Sequence, residues 1–179
     1  NSWNSQILKS EMCLKHRAAA ILRFASSKNY RPLSPALEIW KAKVVSGAGY
    51  GSELWGHSQC NKLQIAENYF LRSFLSLPPS TPLVSLRLDL NINPISSILA
   101  LRPLYYWVRI WSVSELKNYR ISLEEIIQLG RSHKLPWLAY IKNMLIGLGF
   151  PSYWSEPLKM PKGAKELIKI QYWEKENMK

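Results

Sequence analysis

The sequence predicts a mostly α-helical protein, a multi-helix bundle with short connecting loops and little or no β-sheet. Apolar residues recur at three- and four-residue steps along several segments, which is the spacing of one face of an α-helix. Clusters of proline and glycine separate these segments. Runs that alternate apolar and polar residues, as a half-buried strand does, are scarce, so we expect fewer than about one residue in ten in strands.

The helical patterns are clearest in the first half of the chain. Residues 2–25 carry an apolar stripe formed by Trp3, Ile7, Leu14, Ala18, Ile21 and Leu22. Ser34 followed by Pro35 predicts a second helix, with serine as the N-cap and proline at the first helical position. The apolar face of this helix comprises Leu37, Trp40, Val44 and Ala48. A third helix is predicted over residues 61–75, with an inward face of Leu63, Ala66, Tyr69, Phe70 and Phe74.

Glycine and proline mark the ends of these helices. Four glycines in the segment 47–56 predict a helix end or a close backbone approach. Three prolines in the segment 78–82 end the third helix, because proline cannot continue it. Beyond them the patterns predict helices over residues 83–90, 95–113, 122–131, 136–148 and 161–176.

The charge balance favours a polyanionic partner. Among 179 residues, 24 Lys and Arg face 12 Asp and Glu, which leaves a net charge of +12. Such an excess raises the local concentration of nucleic acid and speeds encounter with it. A basic protein without a polyanionic partner is the alternative. An anionic membrane surface fits less well, since no polybasic block flanks an apolar anchor.

The cysteines and the hydropathy bear on the compartment. Only Cys13 and Cys60 are present, too few for a disulfide framework, so we expect a reducing intracellular location, cytoplasmic or nuclear. No stretch approaches the roughly 20 apolar residues that span a bilayer. The sequence begins at Asn1 without a signal pattern, and we expect a fragment or a processed product.

Residues for catalysis are few. Asp89 is the only aspartate, whereas two-metal phosphoryl transfer needs several converging carboxylates. The adjacent Glu124 and Glu125 would point about 100° apart on a helix. No serine-hydrolase elbow or phosphate-binding loop occurs. We therefore expect no catalytic residues, no cofactor, and no polymerase or nuclease turnover by this chain.

One coincidence of spacing suggests zinc. Cys13 and His16 are three residues apart, as are His57 and Cys60, so each pair could share a helix face. Together they would supply a tetrahedral two-Cys, two-His set. The alternative, which we favour, is four ordinary side chains without a metal, because the spacings typical of zinc knuckles are absent.

Exposed cations are better candidates for nucleic-acid contact than the aromatic residues. Trp40, Tyr69, Phe70, Phe74 and Trp107 fall on apolar stripes, which indicates core packing for each. Four cations flank the same helices without joining the stripes, namely Lys41, Lys43, Lys62 and Arg72. We predict that these four form the contact face, the alternative for each being a solvated helix surface.

Two segments carry motifs that go beyond helical spacing. The first runs from Pro35-Ala-Leu-Glu-Ile-Trp-Lys-Ala-Lys-Val-Val45 to Tyr50-Gly-Ser-Glu-Leu-Trp-Gly56. It resembles the non-LTR retrotransposon reverse transcriptases, in the helix that follows their palm and in its Tyr-Gly and Trp-Gly pairs. The second contains Phe70-Leu-Arg72, Leu77-Pro78, Thr81-Pro82 and Leu86-Arg-Leu-Asp-Leu90 in the family's order. Asn91 stands where the family favours glycine, and the Tyr/Phe-Ala-Asp-Asp catalytic signature is absent.

The resemblance implies the thumb and the region after it, where helices lie along the template–primer duplex. It implies a thumb-like helical domain over 1–113 and a smaller helical region over 114–179. The expected partners are RNA, DNA or hybrid duplex, and the palm and fingers of the parent polymerase. The alternatives are a retroelement remnant recruited as a helical protein-interaction domain, or a remnant without a selected role.

Overall fold

The computed structural model describes residues 3–27, 33–58, 60–129 and 135–177. Every regular element in these residues is helical, and none of them lies in a β-strand. The predicted mostly-α fold class is therefore confirmed.

Short turns and two long helices make up the first part of the chain. The helices are α1 Asn4–Ser27, α2 Leu33–Ile39, a π-helical turn Trp40–Val45, α3 Ser46–Ala48, α4 Ser52–Trp55, α5 Asn61–Leu75 and α6 Leu83–Leu90. Helices α5 and α6 each end at a residue in the left-handed conformation, Ser76 and Asn91, with φ of 56° and 50°. Asn91 thus adopts the backbone geometry for which glycine is the usual choice.

The second part of the chain starts with α7 (Ile95–Ser112), its longest helix. The elements after α7 are a 3₁₀ turn Ser114–Leu116, α8 Lys117–Gln128, α9 Pro136–Gly147, α10 Ser152–Ser155, a 3₁₀ turn Pro157–Lys159 and α11 Ala164–Asn177. In the described residues no helix is sufficiently long and apolar to cross a bilayer.

The predicted helices agree with these bounds, apart from differences at their ends. Ser34 is not an N-cap, because α2 begins one residue earlier at Leu33. Pro35 still lies in the first turn, where its missing N–H costs no helical hydrogen bond. Trp3, expected in the core, precedes α1 and is 42% exposed. Helix α8 starts five residues before the predicted 122–131, whose last two residues lie outside the described ones.

The chain divides into two compact units, and the division differs from the predicted one at residue 113. The first unit comprises residues 1–52 and 58–99, and the second comprises 53–57 and 100–179. The boundary therefore falls between Leu99 and Ala100, inside α7.

The core of the first unit forms where α1 lies against α5. Leu14 of α1 and Leu63 and Phe70 of α5 are fully buried. The predicted stripe of α1 is confirmed for Ile7, Leu14, Ala18 and Ile21, all of which are buried.

The core of the second unit is built around Trp107 of α7. Its side chain is fully buried and its indole N–H donates to the Tyr153 carbonyl at 3.1 Å. Trp154 stacks on it at 5.1 Å between ring centroids. Pro103 interrupts the hydrogen-bond ladder of α7, and nearby the Tyr140 hydroxyl donates to the Ala100 carbonyl at 2.9 Å. This unit thus has its own core and its own polar ties.

Candidate nucleic-acid interface

The π-helical turn positions the first pair of predicted cations. Trp40 is fully buried and stacks on Phe70 of α5, with ring centroids 4.0 Å apart and planes at 3°. Val44 is buried on the same side of the turn. Lys41 and Lys43 are consequently exposed, as predicted, and the Lys41 ammonium donates to the Asn91 carbonyl at 3.4 Å.

A third cation lies beside this pair. The Arg17 guanidinium donates to the backbone carbonyl of Lys43 and is itself exposed. It occupies the space next to Gly47, where a Cβ would overlap it. Gly47 therefore marks a close approach of an arginine side chain to the helix, which agrees with the approach predicted for the glycine cluster. Sequence periodicity did not single out Arg17, because its partner is 26 residues away.

The second pair of predicted cations lies on one face of α5. Lys62, Ile65, Tyr69 and Arg72 follow one another at steps of three and four residues, so they form one stripe about 15 Å long. Lys62 is exposed and Arg72 is half-buried, with its guanidinium donating to the Thr81 carbonyl at 3.1 Å. Arg72 thus also ties α5 to the proline-rich turn.

The prediction that Tyr69 packs in the core is wrong, because its side chain is 70% exposed. The inward face of α5 includes Glu67 and Leu71, which are 0% and 1% exposed, instead of Tyr69. The predicted apolar face was rotated toward Tyr69, because the prediction assumed that a glutamate would not be buried. An aromatic ring therefore lies on the surface of α5, one helical turn from Arg72.

Tyr69 and Arg72 line a shallow groove of about 450 Å³ in the first unit. Its other walls are Ile65, Asn68, Ser73, Ser76, Leu77 and Pro79. The groove combines a guanidinium, hydroxyl and amide groups and an exposed ring. These are the group types that contact phosphates and unpaired bases.

A polar network around the buried Glu67 connects helices of the first unit. One carboxylate oxygen of Glu67 accepts hydrogen bonds from Arg87 at 2.9 Å, from Gln64 at 2.6 Å and from the backbone N–H of Ile95 at 3.2 Å. The Gln64 carbonyl in turn accepts from the Ser96 hydroxyl at 2.8 Å. The network therefore joins α5, α6 and the first turn of α7, where a carboxylate also complements the helix dipole.

Burial raises the pKa of Glu67, and the hydrogen bond from Gln64 and the charge of Arg87 oppose that rise. The sequence did contain a signal for this site. Glu67 lies three or four residues from Leu63, Phe70 and Leu71 and seven from Phe74, and all four of these residues are apolar. A charged residue at the centre of an apolar face needs a buried partner, and Arg87 is that partner.

Cys13, His16, His57 and Cys60, whose spacing suggested zinc as the less favoured alternative, belong to no metal-binding group in the part of the chain that the structure describes. Across the described ranges, no group of three or more His, Cys, Asp or Glu side chains could hold a metal ion. Both cysteines are free, and Cys60 is buried with its thiol directed to the Ser58 carbonyl at 3.2 Å. Burial raises the pKa of Cys60 to about 11.

Comparisons of the chain with models of known protein families, with curated proteins and with solved structures found no match. The resemblance to reverse transcriptases accordingly rests on the residue motifs alone.

Proposed function

We propose that the chain is a nucleic-acid-binding helical module, derived from a retroelement polyprotein and without a catalytic centre of its own. It grips duplex nucleic acid, as the thumb of a reverse transcriptase grips template and primer. The partner is RNA, DNA or hybrid duplex, and the setting is intracellular.

The observation that carries this proposal is the charge of the first unit. Its residues include eleven Lys and Arg and four Asp and Glu, a net charge of +7. Two of the four carboxylates are already paired, Glu11 with Lys15 at 2.6 Å and Glu67 with Arg87 at 2.9 Å. Among the described residues of this unit, seven further cations stand against Glu38 and Asp89, and this excess attracts a polyanion.

Two sets of side chains supply the contacts. Lys41 and Lys43 extend from the π-helical turn, beside Arg17. Lys62 and Arg72 flank Tyr69 on the outer face of α5. The cations bind phosphates and so position the duplex without reading its sequence, whereas the Tyr69 ring offers a stacking surface to an unpaired base.

Replacing Lys41 and Lys43 by alanine tests this interface. Each phosphate contact releases condensed counterions, with a log–log salt slope of about −0.9 per phosphate. We expect the double variant to bind duplex more weakly and to lower the magnitude of the slope by up to about two units. Helicity should be unchanged, because both side chains are exposed. Fluorescence anisotropy with a labelled duplex at several salt concentrations measures the slope.

The matched control replaces Lys9 and Arg23, two exposed cations of α1, by alanine. It removes the same charge from the same unit, and should change the slope by less than half as much. Equal effects of the two double variants would mean that overall charge, and not this face, determines binding.

A second candidate function is helix-mediated protein binding, and one surface favours it. An apolar groove of about 230 Å³ in the first unit is lined by Ala20, Phe24, Pro35, Ile39 and neighbouring residues. Phe24 is 59% exposed and Ile39 is 46% exposed. Absence of salt-sensitive nucleic-acid binding by the parent chain would favour this candidate.

A further inference from the structure

The second unit contains a basic groove that the sequence analysis did not assign. Arg102 and Arg109 of α7 and Lys165 of α11 line it, together with Tyr105 and Glu53. The groove has a volume of about 570 Å³, and its remaining walls are Tyr106, Val108, Ser112 and Val113. Three cations thus face one carboxylate in the lining.

Two arginines of α7 line the groove. Arg102 and Arg109 are seven residues apart, which is two helical turns or about 10 Å along α7. Arg109 is exposed, so its guanidinium remains hydrated and accessible. A guanidinium contacts phosphate through two parallel N–H donors, which a hydrated surface arginine can offer.

Lys165 completes the basic lining from a different helix. Its ammonium lies 4.9 Å from the centroid of the Tyr105 ring, so the ring holds the lysine at the groove. Because the ammonium covers this ring face, the groove presents charge there and not a stacking surface. The ligand that fits is therefore a phosphodiester backbone, contacted without regard to base.

We propose that this groove in the second unit is a further phosphate-contact site for nucleic acid, with Arg109 and Lys165 as its main contacts. The inference rests on the proposed function for its class of ligand. The residues involved are separate from those of the first unit, so variants can test the two sites independently.

The test replaces Arg109 and Lys165 by glutamine in the full chain, which keeps side-chain length and removes two positive charges. The salt slope for binding a 20-base-pair RNA–DNA hybrid should decrease in magnitude by up to about two units. The matched control replaces Lys117 and Lys169, which are exposed and do not line the groove, by glutamine. It should change the slope by less than half as much.

A chemical readout on the parent chain supports the affinity measurement. Bound hybrid should slow the acylation of Lys165 by an amine-reactive reagent several-fold more than that of Lys169, one helical turn away. Equal protection of the two lysines, equal slopes for variant and control, or no binding by the parent would each overturn the proposal. A slope that changes with Arg109 and Lys165 but not with Lys41 and Lys43 would uphold this groove and contradict the proposed first-unit face.

Discussion

Replacing Glu67 by alanine should lower the free energy of unfolding by about 3–5 kcal/mol, the range measured when one partner of a buried ion pair is removed. Glu67 is fully buried, and the Arg87 side chain that it pairs with is only 13% exposed. The alanine variant leaves Arg87 without its carboxylate and the Ile95 N–H without its acceptor. Denaturant unfolding followed by circular dichroism measures the loss.

Two controls separate the network from a general effect of charge. Asp89→Ala removes an exposed carboxylate of α6 and should change stability by less than about 0.5 kcal/mol. Glu67→Gln keeps an acceptor for the Ile95 N–H and should cost clearly less than alanine. A loss below about 1 kcal/mol for Glu67→Ala would show that the network does not hold α5, α6 and α7 together.

Trp40→Ala should destabilise the chain by about 3–5 kcal/mol, as is usual for removal of a buried tryptophan. The side chain is fully buried and stacks on Phe70 at 4.0 Å, so its loss opens a cavity between the π-helical turn and α5. Lys41 and Lys43 lie on the same turn and should lose their fixed orientation. Duplex affinity should therefore fall with stability, and denaturant unfolding with a parallel binding assay measures both.

Trp40→Phe provides the matched comparison. Phenylalanine keeps a ring on Phe70 and removes the Trp40 indole N–H, which is buried and has no hydrogen-bond partner among the described residues. Trp40→Phe should lower the free energy of unfolding by well under half as much as Trp40→Ala. The cavity that it leaves is smaller, and it also removes a buried donor that has no acceptor. Tyr69→Ala, which alters an exposed ring, should leave stability nearly unchanged. Equal losses for Trp40→Ala and Trp40→Phe would contradict the stacking account.

The helices were predictable from the sequence because their signals are local. The apolar spacing over residues 61–75 and the prolines after it predicted both ends of α5 correctly. Both ends of α6 were predicted correctly as well. The π-helical turn at Trp40–Val45 was not predictable, since its apolar pattern resembles that of an ordinary helix. The division inside α7 likewise depends on contacts between distant segments.

The candidate interface was predictable only in part. Lys41, Lys43 and Lys62 are exposed as expected, because residues off an apolar stripe face solvent. Arg72 is tied to Thr81, nine residues away, and Tyr69 is exposed because Glu67 occupies the inward face. The Arg72–Thr81 hydrogen bond forms only in the folded chain, and so does the Glu67–Arg87 pair, whose members are 20 residues apart in sequence.

The central claim is that the chain binds nucleic acid through phosphates. The most direct measurement is the dissociation constant of the parent chain for RNA, DNA and RNA–DNA hybrid duplexes of equal length, titrated from low to physiological salt. Two to six phosphate contacts, six being the number of cations assigned to the two sites, predict a log–log slope of about −2 to −5 with little dependence on base sequence. Binding that is absent, or that does not change with salt, would contradict the claim.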